Sequence, residues 1–250
     1  MNDLHDKTVI ITGGGTGIGR AAAHAFADEG ADVLVVGRTE GRLAETAAGR
    51  PGIRTLVADI TEAGAADRIV AAATASSGRV DVLVNNAGIV RAAPLGAVDP
   101  VAAEDMLATN LLAPVYLTQA ALPYLPDGGV VLNVSTAIGQ RGWPLPDGTL
   151  YTAAKAALDA LTRSWAVQLA PRGIRVNAVA PGPIATPIAA HQGLDETQVA
   201  ARRDMLVGYV PLRRIGRPEE VAYWLVALAR PAGGYATGVV LPVDGGALVG

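Results

Sequence analysis

The sequence predicts an α/β fold, a doubly wound, seven-stranded parallel sheet with helices on both faces. Three observations carry that expectation. Seven short β-branched runs recur along the 250 residues. Each of the first six is followed by enough chain for a helix. The runs are continuously apolar rather than alternating, as strands buried on both faces require. A chain of this length suits a single domain, 1–250, with a sizeable core.

In order, the expected strands are "TVIIT" (8–12), "DVLVVG" (32–37), "IRTLVA" (53–58), "VDVLVN" (80–85), "GVVLNVS" (129–135), "IRVNAVA" (174–180) and "GVVLPV" (238–243). About six helices accompany them, among them "GIGRAAAHAFADEG" and "LYTAAKAALDALTRSWAVQLAPRG". The longest irregular-looking stretch, residues 181–220, is too long for a plain connection. It reads as a lid, with a substrate loop at about 182–215.

Composition narrows the function. The net charge is −3 and the 17% charged residues form no block of one sign, which argues against nucleic acid and anionic membranes as partners. Small molecules remain the default. There is no cysteine and the three histidines are scattered, so no metal site is expected. The opening "MNDLHDKTVI" lacks a basic segment followed by a long apolar one, and no apolar run approaches the roughly 18 residues of a membrane span. The expectation is a soluble cytoplasmic protein.

Five glycines crowd "TGGGTGIGR" (12–20), between the first strand and the first helix. A helix N-terminus offers unpaired N–H groups and a positive dipole end to an anion. Gly13 permits a tight turn, Gly17 close approach of the backbone to a pyrophosphate, and Gly19 close packing of helix on strand. Thr16 either caps the helix or donates to phosphate. A second constellation is Tyr151 with Lys155. At i and i+4 they share a helix face, and a neighbouring ammonium favours the phenolate, which makes a usable proton donor or acceptor. Lys155 is one of only two lysines beside eighteen arginines, so a merely solvated cation is the weaker explanation. In "NLLAP", Pro114 has no N–H to give to the carbonyl of Asn110, so a regular helical bond is missing there.

The spacing T-G-x-x-x-G-x-G resembles the glycine motif of the short-chain dehydrogenase/reductase family. "NNAG" (85–88), Asn110, the hydroxyl pair Ser135 and Thr136, "YTAAK" (151–155), "PG" (181–182) and "TGVVLPVDGG" (237–246) follow in that family's order, across about residues 5–247. The resemblance implies a Rossmann-type fold and a reversible oxidoreductase. Hydride would pass between a nicotinamide and a ketone or secondary alcohol. Tyr151 would transfer the proton while Lys155 lowers its pKa and binds ribose. Asn110 would hold a water that links Lys155 to solvent. Thr136 is assigned to orient the substrate oxygen, with Ser135 as the alternate, because Thr136 stands three residues before Gly139 and the stretch "QRGWPLPDGTL" is two residues longer than usual.

The resemblance also distributes the cofactor contacts. Gly13, Gly15, Thr16, Gly17, Ile18 and Gly19 fall to the phosphates. Gly37, Arg38 and Thr39 fall to the adenosine ribose, Asp59 and Ile60 to adenine. Asn86, Ala87 and Gly88 would lie beside the cofactor, as would Tyr151 and Lys155. Pro181, Gly182, Ile184 and Thr186 would lie near the nicotinamide. Asn86 could instead merely tie adjacent strands. The second strand ends "VVGRT", with no carboxylate for a ribose hydroxyl and with Arg38 able to grip a phosphate, which favours NADP(H) over NAD(H).

Candidate substrate-pocket residues are Ile138, Trp143, His191, Met205 and Tyr209. No cluster of arginines marks a dedicated carboxylate or acyl-carrier site, and Arg141, Arg202 and Arg203 are the cations that leave one open. The reading is a carbonyl reductase. Its alternatives are a 3-oxoacyl carrier-protein reductase, an NAD-dependent alcohol or sugar dehydrogenase and, outside enzymes, a cofactor-sensing regulator. Family resemblance further implies a homotetramer, built through the helices bearing Asn110 and Tyr151 and through the C-terminal strand.

Overall fold

All seven runs form strands in the computed structural model, which describes residues 3–91, 93–140, 149–187 and 196–250. They are β1 (Thr8–Thr12), β2 (Asp32–Gly37), β3 (Ile53–Val57), β4 (Val82–Asn85), β5 (Val130–Val134), β6 (Arg175–Pro181) and β7 (Val240–Val243). Every pairing is parallel, in the order β3-β2-β1-β4-β5-β6-β7. The last strand starts at Val240 rather than Gly238, because Gly238 adopts φ +75°, outside the extended region.

Alternation of side chains sorts the core into two layers. Val9 and Ile11 of β1 and Val33 and Val35 of β2 face one side, where Phe26 and Leu225 pack. Ile10, Leu34 and Val36 face the other, against Ile69, Leu117 and Ala166. The first layer is covered by α1 (Gly17–Asp28) and α8 (Pro218–Ala229), the second by α3 (Ala65–Thr74), α5 (Ala113–Ala121) and α6 (Thr149–Leu169). The described residues also form α2 (Glu40–Ala47), α4 (Pro100–Leu107) and α7 (Glu196–Tyr209). The region expected to be irregular, 181–220, thus contains a 14-residue helix, α7. Its apolar residues are too few to announce a core-facing stripe, which is why periodicity passes over it. None of the described helices is long and apolar enough to cross a membrane.

Two departures from regular structure prepare the site. The bond that Pro114 cannot make is absorbed as a π-helical segment, Ala108–Leu112, between α4 and α5, in which the Ala113 N–H reaches back to the carbonyl of Ala108. Asn110 is fully buried in that segment. A polar seam also crosses the apolar layer behind the sheet. Asn85 and Asn133 are paired across β4 and β5, and the Asn85 amide donates to Asn133 Oδ1 at 2.9 Å and to Thr118 Oγ1 at 3.1 Å. Asn133 in turn donates to Thr162 Oγ1 at 2.8 Å. These buried bonds fix β4 and β5 against α5 and α6, the elements that carry the chemistry.

Candidate active site

Strand order reverses between β1 and β4, and ligands of open α/β sheets bind in the crevice beyond the strand ends at such a switch point. A cavity of about 830 Å³ opens there, a volume in the range of small-molecule sites. Its floor is the glycine loop. Gly13 and Gly17 adopt φ +65° and +52°, which only glycine takes readily. A Cβ on Gly19 would stand 2.2 Å from the Gly13 carbonyl oxygen, so the start of α1 lies directly on the loop. Arg20 Nη2 donates to the Gly15 carbonyl at 2.6 Å and Thr46 Oγ1 to that of Gly14 at 3.0 Å, so the loop is held from outside. Gly14 has its own constraint, since a Cβ there would meet Val35 Cβ at 2.6 Å. Such a bare, side-chain-free cradle at a helix N-terminus fits the diphosphate of a dinucleotide. Gly15, Thr16 and Ile18 share its wall. Thr16 stands at the N-cap without a side-chain capping bond, which leaves its hydroxyl to the cavity.

Asn86 plays the part foreseen as its alternative. Its amide donates to the carbonyls of Thr12 at 2.8 Å and Gly13 at 3.3 Å, while Thr12 Oγ1 accepts from the N–H groups of Asn86 and Ala87, both at 3.0 Å. Asn86 is therefore a strut between β1 and β4, although it also lines the cavity with Ala87 and Gly88. Thr12, which the sequence reading did not single out, is its counterpart.

At the chemical end, Thr136, Tyr151 and Lys155 lie on one wall. The Thr136 hydroxyl lies near enough to the Tyr151 phenol to favour its ionised form, and its oxygen also accepts the Ile138 N–H at 3.4 Å. Ser135 also borders the cavity, but its hydroxyl donates to the backbone carbonyl of Lys155 at 3.4 Å. The geometry separates the pair: Thr136 engages the phenol and Ser135 the helix. Lys155 is 3% exposed and its ammonium donates to the Val134 carbonyl at 2.7 Å. Behind Gly88, a Cβ would fall 2.8 Å from Asn110 Oδ1 and 3.6 Å from Lys155 Nζ, so Asn110 and Lys155 converge on one backbone position. Asn110 does not line the cavity. Its amide donates to the Ile89 carbonyl at 2.9 Å and its oxygen accepts the Ile89 N–H at 3.1 Å, which pins the segment after β4.

Electrostatics correct one expectation. Lys155 is expected to draw the phenol down, but desolvation dominates and pushes Tyr151 up to about 12, with the Thr136 hydroxyl acting the other way. Burial likewise brings Lys155 down to about 8, against the pull of Asp159 one turn further along α6. The protein alone therefore holds Tyr151 as a protonated acid at neutral pH.

The far end is cationic. Gly37, Arg38, Thr39, Asp59 and Ile60 border the cavity there. Arg38 is 66% exposed on its side chain and lies 3.6 Å from the Asp59 carboxylate. Partial burial pushes Asp59 up, but hydrogen bonds from the Thr61 N–H and hydroxyl and the Arg38 guanidinium outweigh it, and the net shift is downward. Arg42, missed by the sequence reading, lines the same wall, its Cβ 3.2 Å from where a Cβ on Gly15 would stand. Its signal was available: it follows Arg38 by four residues, in the first turn of α2.

Pro181, Gly182, Ile184 and Thr186 line the wall that leads from β6 toward the lid, and Thr186 Cγ2 comes within 3.0 Å of the Cβ position of Gly17. Of the expected pocket residues, Ile138 lines the cavity, whereas Met205 and Tyr209 do not and are exposed. Val199, Arg202, Arg203 and Leu206 are the residues α7 presents. Trp143, His191 and Arg141 lie outside the described residues.

Comparison with known proteins agrees with this architecture. The profile of the family described as enoyl-(acyl carrier protein) reductase matches residues 13–247. The 3-oxoacyl-[acyl-carrier-protein] reductase of Thermotoga maritima is 37% identical over 252 residues, 98% of this chain and 99% of that protein. A short-chain dehydrogenase/reductase of unknown function from Caenorhabditis elegans, crystallised with cofactor, superposes with a TM-score of 0.91 at 34% identity, covering 98% of this chain and 96% of that one. A blue fluorescent protein from a metagenomic library, in complex with NADPH, superposes with a TM-score of 0.89 at 35% identity, covering 99% and 100%.

Proposed function

The chain belongs to the short-chain dehydrogenase/reductase family of NAD(P)-dependent oxidoreductases, and we propose that it is a carbonyl reductase that uses NADPH, with Tyr151 as the proton donor. The observation that carries this reading is the convergence of Thr136, Tyr151 and Lys155 on one wall of a cavity whose far end bears Arg38 and Arg42. The glycine loop and Lys155 would hold a nicotinamide dinucleotide, which would supply the hydride for the carbonyl carbon. The chain's own residues do the rest. Thr136 orients the substrate oxygen, and the phenol, protonated up to about pH 12, gives that oxygen its proton as the C=O bond becomes an alcohol. Lys155, fixed by the Val134 carbonyl, binds ribose and supplies positive charge as the phenolate forms. Asn110 holds the Ile89 backbone in place beside Lys155 and supports the water that returns the proton.

NADPH is favoured over NADH because Arg38 and Arg42 both line the cavity near the end of β2, where a 2′-phosphate would lie, and because Gly37 leaves room for it. The structural relative that holds NADPH is consistent with this choice. We take the chain as one catalytic domain, with the stretch from Gly182 to about Ile215 as its substrate loop. A homotetramer would cover two apolar faces: Leu112, Tyr116 and Val167 on one, Tyr223, Trp224 and Tyr235 on the other, all exposed in the single chain.

A second reading, 3-oxoacyl carrier-protein reduction, is favoured by the names of the matching family and of the Thermotoga maritima relative. NADPH oxidation against a panel of ketones, aldehydes and 3-oxoacyl thioesters separates the two, with Tyr151→Phe as control. That variant should bind NADPH as the wild type does and lose turnover by about 10²–10⁴-fold, the usual worth of a positioned general acid. Equal turnover in the variant would remove Tyr151 from the chemistry.

A further inference from the structure

Tyr151 and Lys155 both ride on α6, so their place in the cleft depends on how far that helix stands along β5. Apolar packing does not set this height. Val131 of β5 and Ala166 of α6 share one apolar cluster, and hydrophobic attraction has no direction that would oppose sliding. Hydrogen bonds do have one. Among the described residues, three join α6 to β5 and the residue after it. The Lys155 ammonium donates to the Val134 carbonyl at 2.7 Å, but that donor is itself the group to be placed. The Ser135 hydroxyl donates to the Lys155 carbonyl at 3.4 Å, longer than an O–H···O bond at its best. The Asn133 amide donates to Thr162 Oγ1 at 2.8 Å, and neither of these two residues lines the cavity.

That third bond is built as a fixed point. Both partners are fully buried. The Thr162 hydroxyl gives its proton to the Leu158 carbonyl at 2.9 Å, so toward Asn133 it can only accept. On the far side, Asn133 Oδ1 accepts the Asn85 amide at 2.9 Å, which leaves the Asn133 NH2 group to point at α6. Each group's role is thus dictated by its neighbour. Thr162 follows Lys155 by seven residues, two turns on one helix face and about 10 Å along the axis. Asn133 precedes Val134, the acceptor of the Lys155 ammonium, by one residue. A shift of α6 at Thr162 is therefore passed along continuous helix to Lys155 and Tyr151. An aliphatic pair would fill the same volume without burying an amide and a hydroxyl, so packing alone does not call for these two residues.

We infer that Thr162, held by Asn133, is a positioning residue for the oxidoreductase reaction: its buried hydroxyl fixes the height of α6 along β5, and with it the reach of the Lys155 ammonium and the Tyr151 phenol into the cleft. This rests on the assignment of those two side chains to the chemistry. It places a determinant of turnover outside the cavity, two helical turns from Lys155.

Substitution of the hydroxyl in the full chain tests it. Thr162→Val keeps the shape and removes the acceptor, whereas Thr162→Ser keeps the acceptor. In NADPH-dependent ketone reduction, Thr162→Val should lower kcat by about 10–100-fold, the scale of a misplacement of about 1 Å, while the Kd of NADPH from fluorescence titration rises by no more than about 3-fold. Thr162→Ser should stay within about 3-fold of the wild type in both, because its hydroxyl can still accept. Thr118→Val removes the other hydroxyl of the buried network without touching α6, so it should lose stability yet keep kcat within about 3-fold. A crystal structure of Thr162→Val should show the Lys155 Nζ to Val134 oxygen separation lengthened beyond about 3.2 Å. Thr162→Cys, a weak acceptor, replaces Thr162→Val if the latter does not fold, with the same split expected. Wild-type kcat in the folded variant would overturn the inference and leave the oxidoreductase reading intact. Equal losses of kcat in Thr162→Val and Thr118→Val, or a loss of NADPH affinity as large as the loss of kcat, would overturn it by showing a general loosening of the fold. Failure of the wild type to reduce any carbonyl compound would overturn the reading beneath it as well.

Discussion

The two ends of the cleft handle charge in opposite ways. At the chemical end, Tyr151 and Lys155 are embedded among α6, β5 and the π-helical segment, and burial moves both toward their neutral forms. At the adenine end, Arg38 and Arg42 stand in solvent, and Arg38 has Asp59 as its one close counter-charge. Burial makes the first end sensitive to small displacements, because the Lys155 ammonium and the Asn110 amide are each tied to a backbone partner. Exposure makes the second end tolerant of substitution but selective for charge. Catalysis and cofactor choice should therefore be separable by mutation.

The largest effect expected in breaking that separation is at Lys155. Lys155→Met should lower kcat by about 10²-fold or more, since it removes a buried cation from the wall that carries the phenol. Rapid-quench single turnovers would show whether the loss lies in chemistry. At the other end, Arg38→Asp should raise the KM for NADPH by about 10–100-fold and leave that for NADH within a few-fold, as loss of one charge-assisted contact implies. Equal shifts for both cofactors would remove Arg38 from discrimination. Within the chemical end, Thr136→Val should cost about 10-fold or more in kcat/KM, whereas Ser135→Ala should stay within about 3-fold, because the Ser135 hydroxyl is turned to the Lys155 backbone carbonyl while Thr136 acts on the phenol. The reverse ranking would make Ser135 the orienting group.

The smallest effects are in pH dependence. If the ammonium is required, turnover should fall as pH rises through about 8, where Lys155 loses its proton, and Tyr151 should contribute no limb below about 12. Stability has a definite sign as well. The unfolded chain holds the Lys155 proton up to about 10.5 and the folded one only to about 8, so the wild type should gain stability relative to Lys155→Met as pH rises across that window. Tyr151 acts oppositely between about 10 and 12, where the folded state keeps a proton that the unfolded state has lost. Denaturant titrations at pH 7, 8, 9 and 10 would check the first trend. A flat difference would mean that water reaches Lys155.

Sequence alone exposed much of this site for identifiable reasons. The strands were legible because parallel strands buried on two faces must be continuously apolar, and the glycine loop because three backbone positions admit no Cβ. Tyr151 and Lys155 stood out through helical spacing and the scarcity of lysine. α7 was not legible, because its apolar residues trace no broad stripe, and with it went the choice between Met205 and Leu206 as a lining residue. The struts escaped for a different reason. Thr12, Arg20 and Thr46 act through bonds to backbone carbonyls and N–H groups, which any sequence offers at every residue. The protonation state of Tyr151 escaped too, since a lysine four residues away was visible and the depth of burial was not.

The most direct test of the central account is isotopic. NADPH carrying deuterium at the transferred nicotinamide C4 position, incubated with the protein and an accepted ketone, should deliver that deuterium to the new carbinol carbon, while Tyr151→Phe binds the same cofactor and delivers almost none. Alcohol product without carbon-bound deuterium, or transfer at the wild-type rate by the Tyr151→Phe protein, would contradict it.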